Sequence, residues 1–488
     1  MPPLYRAVTL SLDQLDEDLA HRFHPGNPGV AHIRHLAVGK HGDVSIKKSD
    51  SRYLAALVIE IPKDRLVTFR VNMGNNLSSG LAHVVRLRQR RLINYQLQGH
   101  DHNDIVDYLP DVDELRNVTA LSLVLRASGD VIRAAQVLRN AHAVRSLALV
   151  VAMDDSENTP FFVVECYAWM QILLSELPAS QGRVELRLTH LHLEGFHLGQ
   201  CGPLVANIVA PQHLRMLSMV KCWDTNSFLK SLLQAGVAPC SLVDDQSRHE
   251  SDEPGIMGDF LASYRGLERL KLTTTRESNL YADCDWTVLK QHAPTLHTLF
   301  VDDFDDGPDP FESAVYDRKL TTLQCSLANG TVLRELALHV PTPALRSGSF
   351  VGLVCFLKLL ANLRTLRLFM YPKQLSDPQP CRDAPDGCSH EYALQRESAS
   401  KFVQDLASAL FKDLMNPCPM LKCLVIDARY PSQVLGDPCL QSGFLRVLQT
   451  DIYGHTSAAA VPCEIMNIRL HEPYSDILED EVSFDGLM

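Results

Sequence analysis

Asn362-Leu363-Arg364-Thr365-Leu366-Arg367-Leu368 is the stretch on which the fold turns. Leu366 and Leu368 alternate with polar residues, as in a strand with one buried face. Leu363 lies three residues ahead, where the chain turns into that strand. The same three-then-two spacing recurs in Leu267-Glu-Arg-Leu270-Lys-Leu272, Leu333-Arg-Glu-Leu336-Ala-Leu338 and Leu421-Lys-Cys-Leu424-Val-Ile426.

Extended along the chain, the pattern places strand starts at Ile33, Leu66, Leu92, Val118, Val144, Leu188, Leu214, Val237, Leu267, Leu296, Leu333, Leu363, Leu421, Leu445 and Ile465. Many of the intervals fall in or near the roughly 20–29 residues of a leucine-rich repeat, and the longer ones read as a repeat plus an insertion. Ahead of them, Val8, Leu10 and Leu12 alternate as a first strand, Leu15–Phe23 reads as a short helix and His24–Gly29 as a turn.

Between strands the period changes from 2 to 3.6. Val131, Ala134, Ala135 and Leu138 share a helix face, as do Phe228, Leu229, Leu232 and Leu233 behind Thr225 as cap. Phe161–Leu177 and Ser398–Met415 are longer helices, stopped by Pro178 and Pro417. A strand, turn and helix of this size cannot bury both faces alone, whereas stacked copies bury one continuous core. The expected fold is therefore α/β: an irregular, curved leucine-rich-repeat solenoid with parallel strands on the concave face and helices outside. Residues 1–30 form an N-terminal strand and cap, and 31–471 the repeat array. Loop insertions are expected at 242–258 and 371–392, and 472–488 reads as a frayed acidic tail with six acids and no base.

The 488 residues are 46% hydrophobic and carry a formal net charge of −12, which argues against binding nucleic acid over the whole surface. No signal peptide is seen, and the longest greasy run, Phe350–Ala361, is too short to span a membrane. The 13 cysteines form no C-x-x-C pair and read as reduced thiols, mostly in the core, of a cytoplasmic or nuclear protein.

Local chemistry is sparse. His190, His192 and Glu194 are spaced by two on one exposed strand face, where a polar ladder is favoured over a zinc site for want of a fourth ligand. Cys381, Cys388 and His390 in the proline-rich loop match no common zinc spacing. Asp302–Glu312 fails the calcium-loop register at Phe304 and Ser313. Arg86–Arg91 is a dense basic run, read as a solvated turn rather than a nuclear address. No nucleophile elbow, phosphate-binding glycine loop, dinucleotide fingerprint or H-E-x-x-H is present, so neither an enzyme nor a cofactor or metal is expected.

These repeats resemble the irregular leucine-rich repeats of fungal F-box proteins. Of the Asn or Cys that regular repeats place after the strand, only Cys222 fits, while Phe196 and Phe304 hold that place in two other units. Leu4-Tyr5-Arg6-Ala7-Val8-Thr9-Leu10 is similar to the segment that follows the F-box in such proteins. The resemblance implies a noncatalytic module that recognises protein substrates of a cullin ubiquitin ligase. The F-box itself would precede this strand and is not expected in the chain, so the Skp adaptor is a partner only if an F-box lies upstream. A structural scaffold without a ubiquitin role, such as a truncated gene product, is the alternative.

Whichever holds, specificity would reside on the concave sheet, not in the leucines. The residues expected to point outward there and to anchor a protein partner are Arg269, Lys271, Phe300, Asp302, Arg367 and Phe369.

Overall fold

A computed structural model describes residues 7–11, 27–39, 48–63, 65–71, 84, 88–89, 94–97, 119–125, 131–132, 134–135, 138–139, 143–151, 173, 186–199, 201–203, 205, 209–246, 256–274, 285–302, 312–328, 332–341, 348–371, 388–428, 440–464, 468 and 475–478. The chain divides into two compact units, one over Met1–Val237 and the other over Ala238–Ser483.

In the first unit the strands are Ala7–Ser11 (β1), His35–Gly39 (β2), Thr68–Val71 (β3), Asn94–Leu97 (β4), Ala120–Leu125 (β5), Ser146–Val151 (β6), His190–Glu194 (β7) and Met216–Val220 (β8). Each pairs in parallel with the next in the chain. The second unit begins with Ser241–Gln246 (β9), Arg269–Thr274 (β10), Thr298–Asp302 (β11), Glu335–Pro341 (β12), Thr365–Tyr371 (β13) and Cys423–Ala428 (β14), again parallel and in chain order. Leu440–Thr450 (β15) and Thr456–Cys463 (β16) then close it as an antiparallel hairpin. The fold is thus mixed α/β, built on mostly parallel sheet. Strictly sequential parallel order requires every crossover to pass on the same side, because such connections share one hand. One face of the sheet is therefore buried beneath the crossovers, and the other is left to be covered in some other way.

The spaced leucines are the buried face. Leu270, Leu299, Leu336, Leu366 and Leu424 lie in register across β10 to β14, and Leu272, Val301, Leu338, Leu368 and Ile426 form a second row. All are buried. The lead-in positions Ile33, Leu66, Val144, Leu188, Leu214, Leu267, Leu296, Leu333, Leu363 and Leu421 are buried as well. Many of the strand lead-ins also share a backbone device that no side-chain pattern reveals. The Arg364 carbonyl accepts N–H bonds from both Lys422 and Cys423, and Arg334, His297, Glu268 and Cys240 do the same for the strand that follows each of them. Arg145 and Thr189 repeat it in the first unit.

Helices Lys48–Glu60 (α1), Thr225–Gln234 (α2), Met257–Ala262 (α3), Glu312–Leu327 (α4), Gly348–Leu357 (α5) and Cys388–Asp413 (α6) lie in the crossovers. In α2, Phe228, Leu229 and Leu232 are buried and Leu233 half-buried, but the cap is Asp224 rather than Thr225. The helix ends on Gly236, at φ +72°. Its N–H reaches the Leu233 carbonyl, and the Val237 N–H reaches that of Leu232, so the last orphan carbonyls are satisfied. Val131, Ala134, Ala135 and Leu138 are buried together, as their spacing implies.

Several sequence expectations are corrected. Leu242–Gln246, assigned to a loop, lies in β9, since Leu242 and Asp244 register with Leu270 and Leu272. Cys388–Tyr392, also assigned to a loop, belongs to α6. Leu445 lies within antiparallel β15 and does not start a parallel repeat. The strand assigned at Ile465 is instead Thr456–Cys463, and Ile465 itself falls outside the described residues. The hairpin turn is fixed by the Asp451 carboxylate, which accepts N–H bonds from Tyr453 and His455 at 2.8 Å each. Expectations for Leu15–Phe23, the strand starts Leu92 and Val118, Cys381, and the basic run apart from Arg88 and Gln89 also lie outside the described residues, as does Phe161–Leu177 apart from the buried Leu173. Of the described cysteines, Cys201, Cys222, Cys418 and Cys423 are buried, whereas Cys325 and Cys355 are exposed. No helix among the described residues is long and apolar enough to cross a membrane.

His292 is a buried polar joint within the second unit. Its Nδ1 accepts the Leu267 N–H at 3.2 Å and its Nε2 donates to the Leu261 carbonyl at 3.0 Å. That pairing needs the neutral ring, and burial holds the imidazole below its usual value of 6.5. As pH falls below about 6.5, the unfolded chain takes up the proton first, so stability is lost below that pH and kept above it. A urea midpoint that falls between about pH 7.5 and about pH 5.5, with a shallower fall in a His292→Gln variant, is the expected result.

Candidate interaction face

The six residues expected on the open face do share it. Lys271, Phe300, Ala337, Arg367 and Val425 lie in register across β10 to β14. Thr273 pairs with Asp302, His339 with Phe369 and Phe369 with Asp427, forming the next row. Arg269 sits one row earlier, beside Thr298. The aromatic and cationic groups converge. Phe300 and Phe369 have ring centroids 5.2 Å apart at 59°. The Lys271 ammonium lies 4.6 Å from the Phe300 centroid, and the Arg367 guanidinium 5.0 Å from that of Phe369.

Exposure is where expectation and structure part. Arg269 and Lys271 are half-exposed, but Phe300, Asp302, Arg367 and Phe369 are buried. The chain's own C-terminal segment packs against Phe300, Arg367 and Phe369. Its 3-10 turn, Asp476–Leu478, contacts β11, β12 and β13. Ile477 is fully buried in a cluster with Phe300, Ala337 and Phe369. Leu478 enters a neighbouring cluster with Cys423, Val425 and Ile468, flanked by Leu445 and Cys463. The tail expected to fray is thus docked at Ser475–Leu478. A turn carrying two adjacent aliphatics can remove both from water only by lying on an apolar surface, and this row supplies one.

Arg367 is the polar centre of the contact. Its Nε donates to Asp427 Oδ2 at 2.7 Å, and its Nη1 donates to the Ile477 carbonyl at 2.7 Å. The rigid fork of donors lets one side chain hold a carboxylate and a backbone carbonyl at once. Both partners are almost fully buried, at 5% and 3% side-chain exposure. Ser475 is buried too, and its Oγ finds no hydrogen-bond partner among the described residues.

Asp427, Ala337, Ile477 and Leu478 are the residues that sequence reasoning missed. Aligning the repeats would have found Asp427, which follows Leu421 by the interval that separates Phe369 from Leu363. Nothing local marks Ile477, which sits in an acidic tail with no repeat to align it.

On the first unit, His190, His192 and Glu194 share a face as their spacing implies, but His192 is buried rather than solvated. Its Nδ1 lies 2.9 Å from Ser218 Oγ and its Nε2 3.6 Å from Glu194 Oε2. That is the order of a nucleophile, base and acid. Yet Ser218 is 2% exposed, so a substrate carbonyl has no approach to its Oγ in this conformation. The Thr189 hydroxyl lies 2.8 Å from His190 Nδ1. Cys222, the one repeat-type cysteine, points its thiol at the Leu193 carbonyl at 3.3 Å, tying one turn to the preceding strand. Burial pushes the thiols of Cys201 and Cys418 up to about 11, which keeps them protonated at neutral pH. No protein-family model matches the chain, and no curated protein matches it either.

Proposed function

We propose that the chain is a noncatalytic protein-recognition module made of leucine-rich repeats, resembling the substrate-binding part of a fungal F-box protein. One observation carries the reading. The face of β11 to β14 already holds a peptide segment, gripping aliphatic side chains with Phe300 and Phe369 and a backbone carbonyl with Arg367. Those are the means by which a repeat surface recognises a protein: aromatic and arginine anchors at a desolvated centre. Half-exposed Arg269 and Lys271 form the rim beside it.

A second reading is favoured by the same contact. A face closed by its own chain suits a scaffold whose surface serves stability alone. The double charge reversal Arg269→Glu with Lys271→Glu separates the two, because it inverts the rim charge while Arg367, Phe369, Asp427 and Ile477 keep their side chains. Tagged wild-type and variant chains are used for affinity capture from fungal lysate, read by quantitative mass spectrometry. Recognition predicts a defined set of proteins depleted by roughly tenfold or more in the variant. Skp adaptor and cullin among the wild-type captures would favour the ubiquitin-ligase role. Identical recoveries from both chains would overturn the recognition reading and favour the scaffold.

A further inference from the structure

The C-terminal contact is built from a few separable features. Two consecutive aliphatic side chains fill two adjacent apolar sites, Ile477 over Phe300, Ala337 and Phe369, and Leu478 over Cys423, Val425 and Ile468. A single backbone carbonyl is read by Arg367, which Asp427 holds in place through its Nε. The fit is incomplete, because the buried Ser475 hydroxyl makes no hydrogen bond among the described residues and forfeits the water it would otherwise keep. The surrounding sequence, Glu472-Pro-Tyr-Ser-Asp-Ile-Leu-Glu-Asp480, is acidic, and the rim of the face carries the cations Arg269 and Lys271.

We propose that this face is a binding site for short acidic peptides bearing an Ile-Leu pair, and that Ser475–Leu478 is its built-in occupant, which a partner peptide must displace. The proposal rests on the recognition reading above and names the chemical class of the partner. A tethered occupant competes at a high effective concentration, in the millimolar range for short linkers, so it masks the site from weak peptides and yields only to a better-fitting or multiply attached one. The Ser475 hydroxyl, without a hydrogen-bond partner among the described residues, marks where a better fit is available. A peptide with alanine at that place loses no hydrogen bond on docking, and binds more tightly than the native sequence.

The test uses the full chain with Ile477→Asp and Leu478→Asp, since a carboxylate cannot stay in either apolar site, and a second full chain with alanine at both positions. The probe is a fluorescein-labelled synthetic peptide of residues 472–480, read by fluorescence anisotropy. The released chains are expected to bind it roughly tenfold or more tightly than the wild type, whose own segment competes. A peptide with aspartate in place of isoleucine does not bind, the Ser-to-Ala peptide binds more tightly, and Ala337→Lys in a released chain abolishes binding. Folded released chains that ignore the peptide, or that bind it no better than the wild type, overturn the proposal. So does failure of both released chains to show a cooperative melt, which would make the segment a structural part of the unit. Peptide binding alongside unchanged lysate capture by the rim variant would sink the recognition reading and leave the peptide site standing.

Discussion

Replacing Asp427 with alanine is expected to destabilise the second unit by about 3–5 kcal/mol, measured as a fall in the urea midpoint. The Arg367 guanidinium lies within 2.7 Å of Asp427 Oδ2, and both side chains are nearly free of solvent. Removing the carboxylate leaves a cation buried between Phe369 and the Ile477 carbonyl without the anion that balances it. Taking both members away is far milder, because the desolvation cost disappears with the charges. The double variant Arg367→Leu, Asp427→Leu is therefore expected to recover most of the loss. It should remain short of wild type by about 0.5–1.5 kcal/mol for the missing bond to the Ile477 carbonyl. A single-variant cost of about 1 kcal/mol or less, the range of exposed pairs, would show that the pair is solvated and that Ser475–Leu478 does not seal it.

Leu366→Ala is expected to cost about 2–5 kcal/mol in the same measurement. Leu366 is fully buried, in register between Leu336 and Leu424, which are themselves fully buried. A void there sits inside a row shared by consecutive strands, with little freedom to collapse. Arg269→Ala, on the opposite face and half-exposed, should cost about 1 kcal/mol or less. The pair of measurements tests the strand parity on which both the core and the candidate face depend. Equal costs, or a larger one at Arg269, would mean that the faces are assigned the wrong way round.

The strands of these repeats were legible because each is specified by its own residues. Leu267, Leu270 and Leu272, or Leu363, Leu366 and Leu368, must be apolar to meet a core, and the period of two leaves only one way to bury them. The adjacency of Lys271, Phe300 and Arg367 follows from laying the repeats over one another. The hairpin β15–β16 was missed because Leu445 and Val447 alternate like any strand, whatever the direction of its partner. The sign of an antiparallel return was in the connection. Asp451-Ile-Tyr-Gly-His455 is a short turn with Gly454 at φ +83°, too brief for a parallel crossover. A strand is expected from Val237, but Leu242–Gln246 reads as loop because Asp244 and Asp245 are polar, and pairing with β10 supplies what their own side chains do not.

By itself, the sequence determined a mixed α/β chain with parallel strands in sequential order and the parity that sends leucines to one face. Those follow from local spacing, which every strand carries within itself. Tertiary structure alone decided what becomes of the other face. Arg367 and Phe369 carry the same residue types whether they meet water, a partner or their own chain. The return of Ile477 across 110 residues of sequence packs on Phe369 and ties the Arg367 fork to its carbonyl. A contact that distant leaves no period in the sequence, because its two halves need only fit each other.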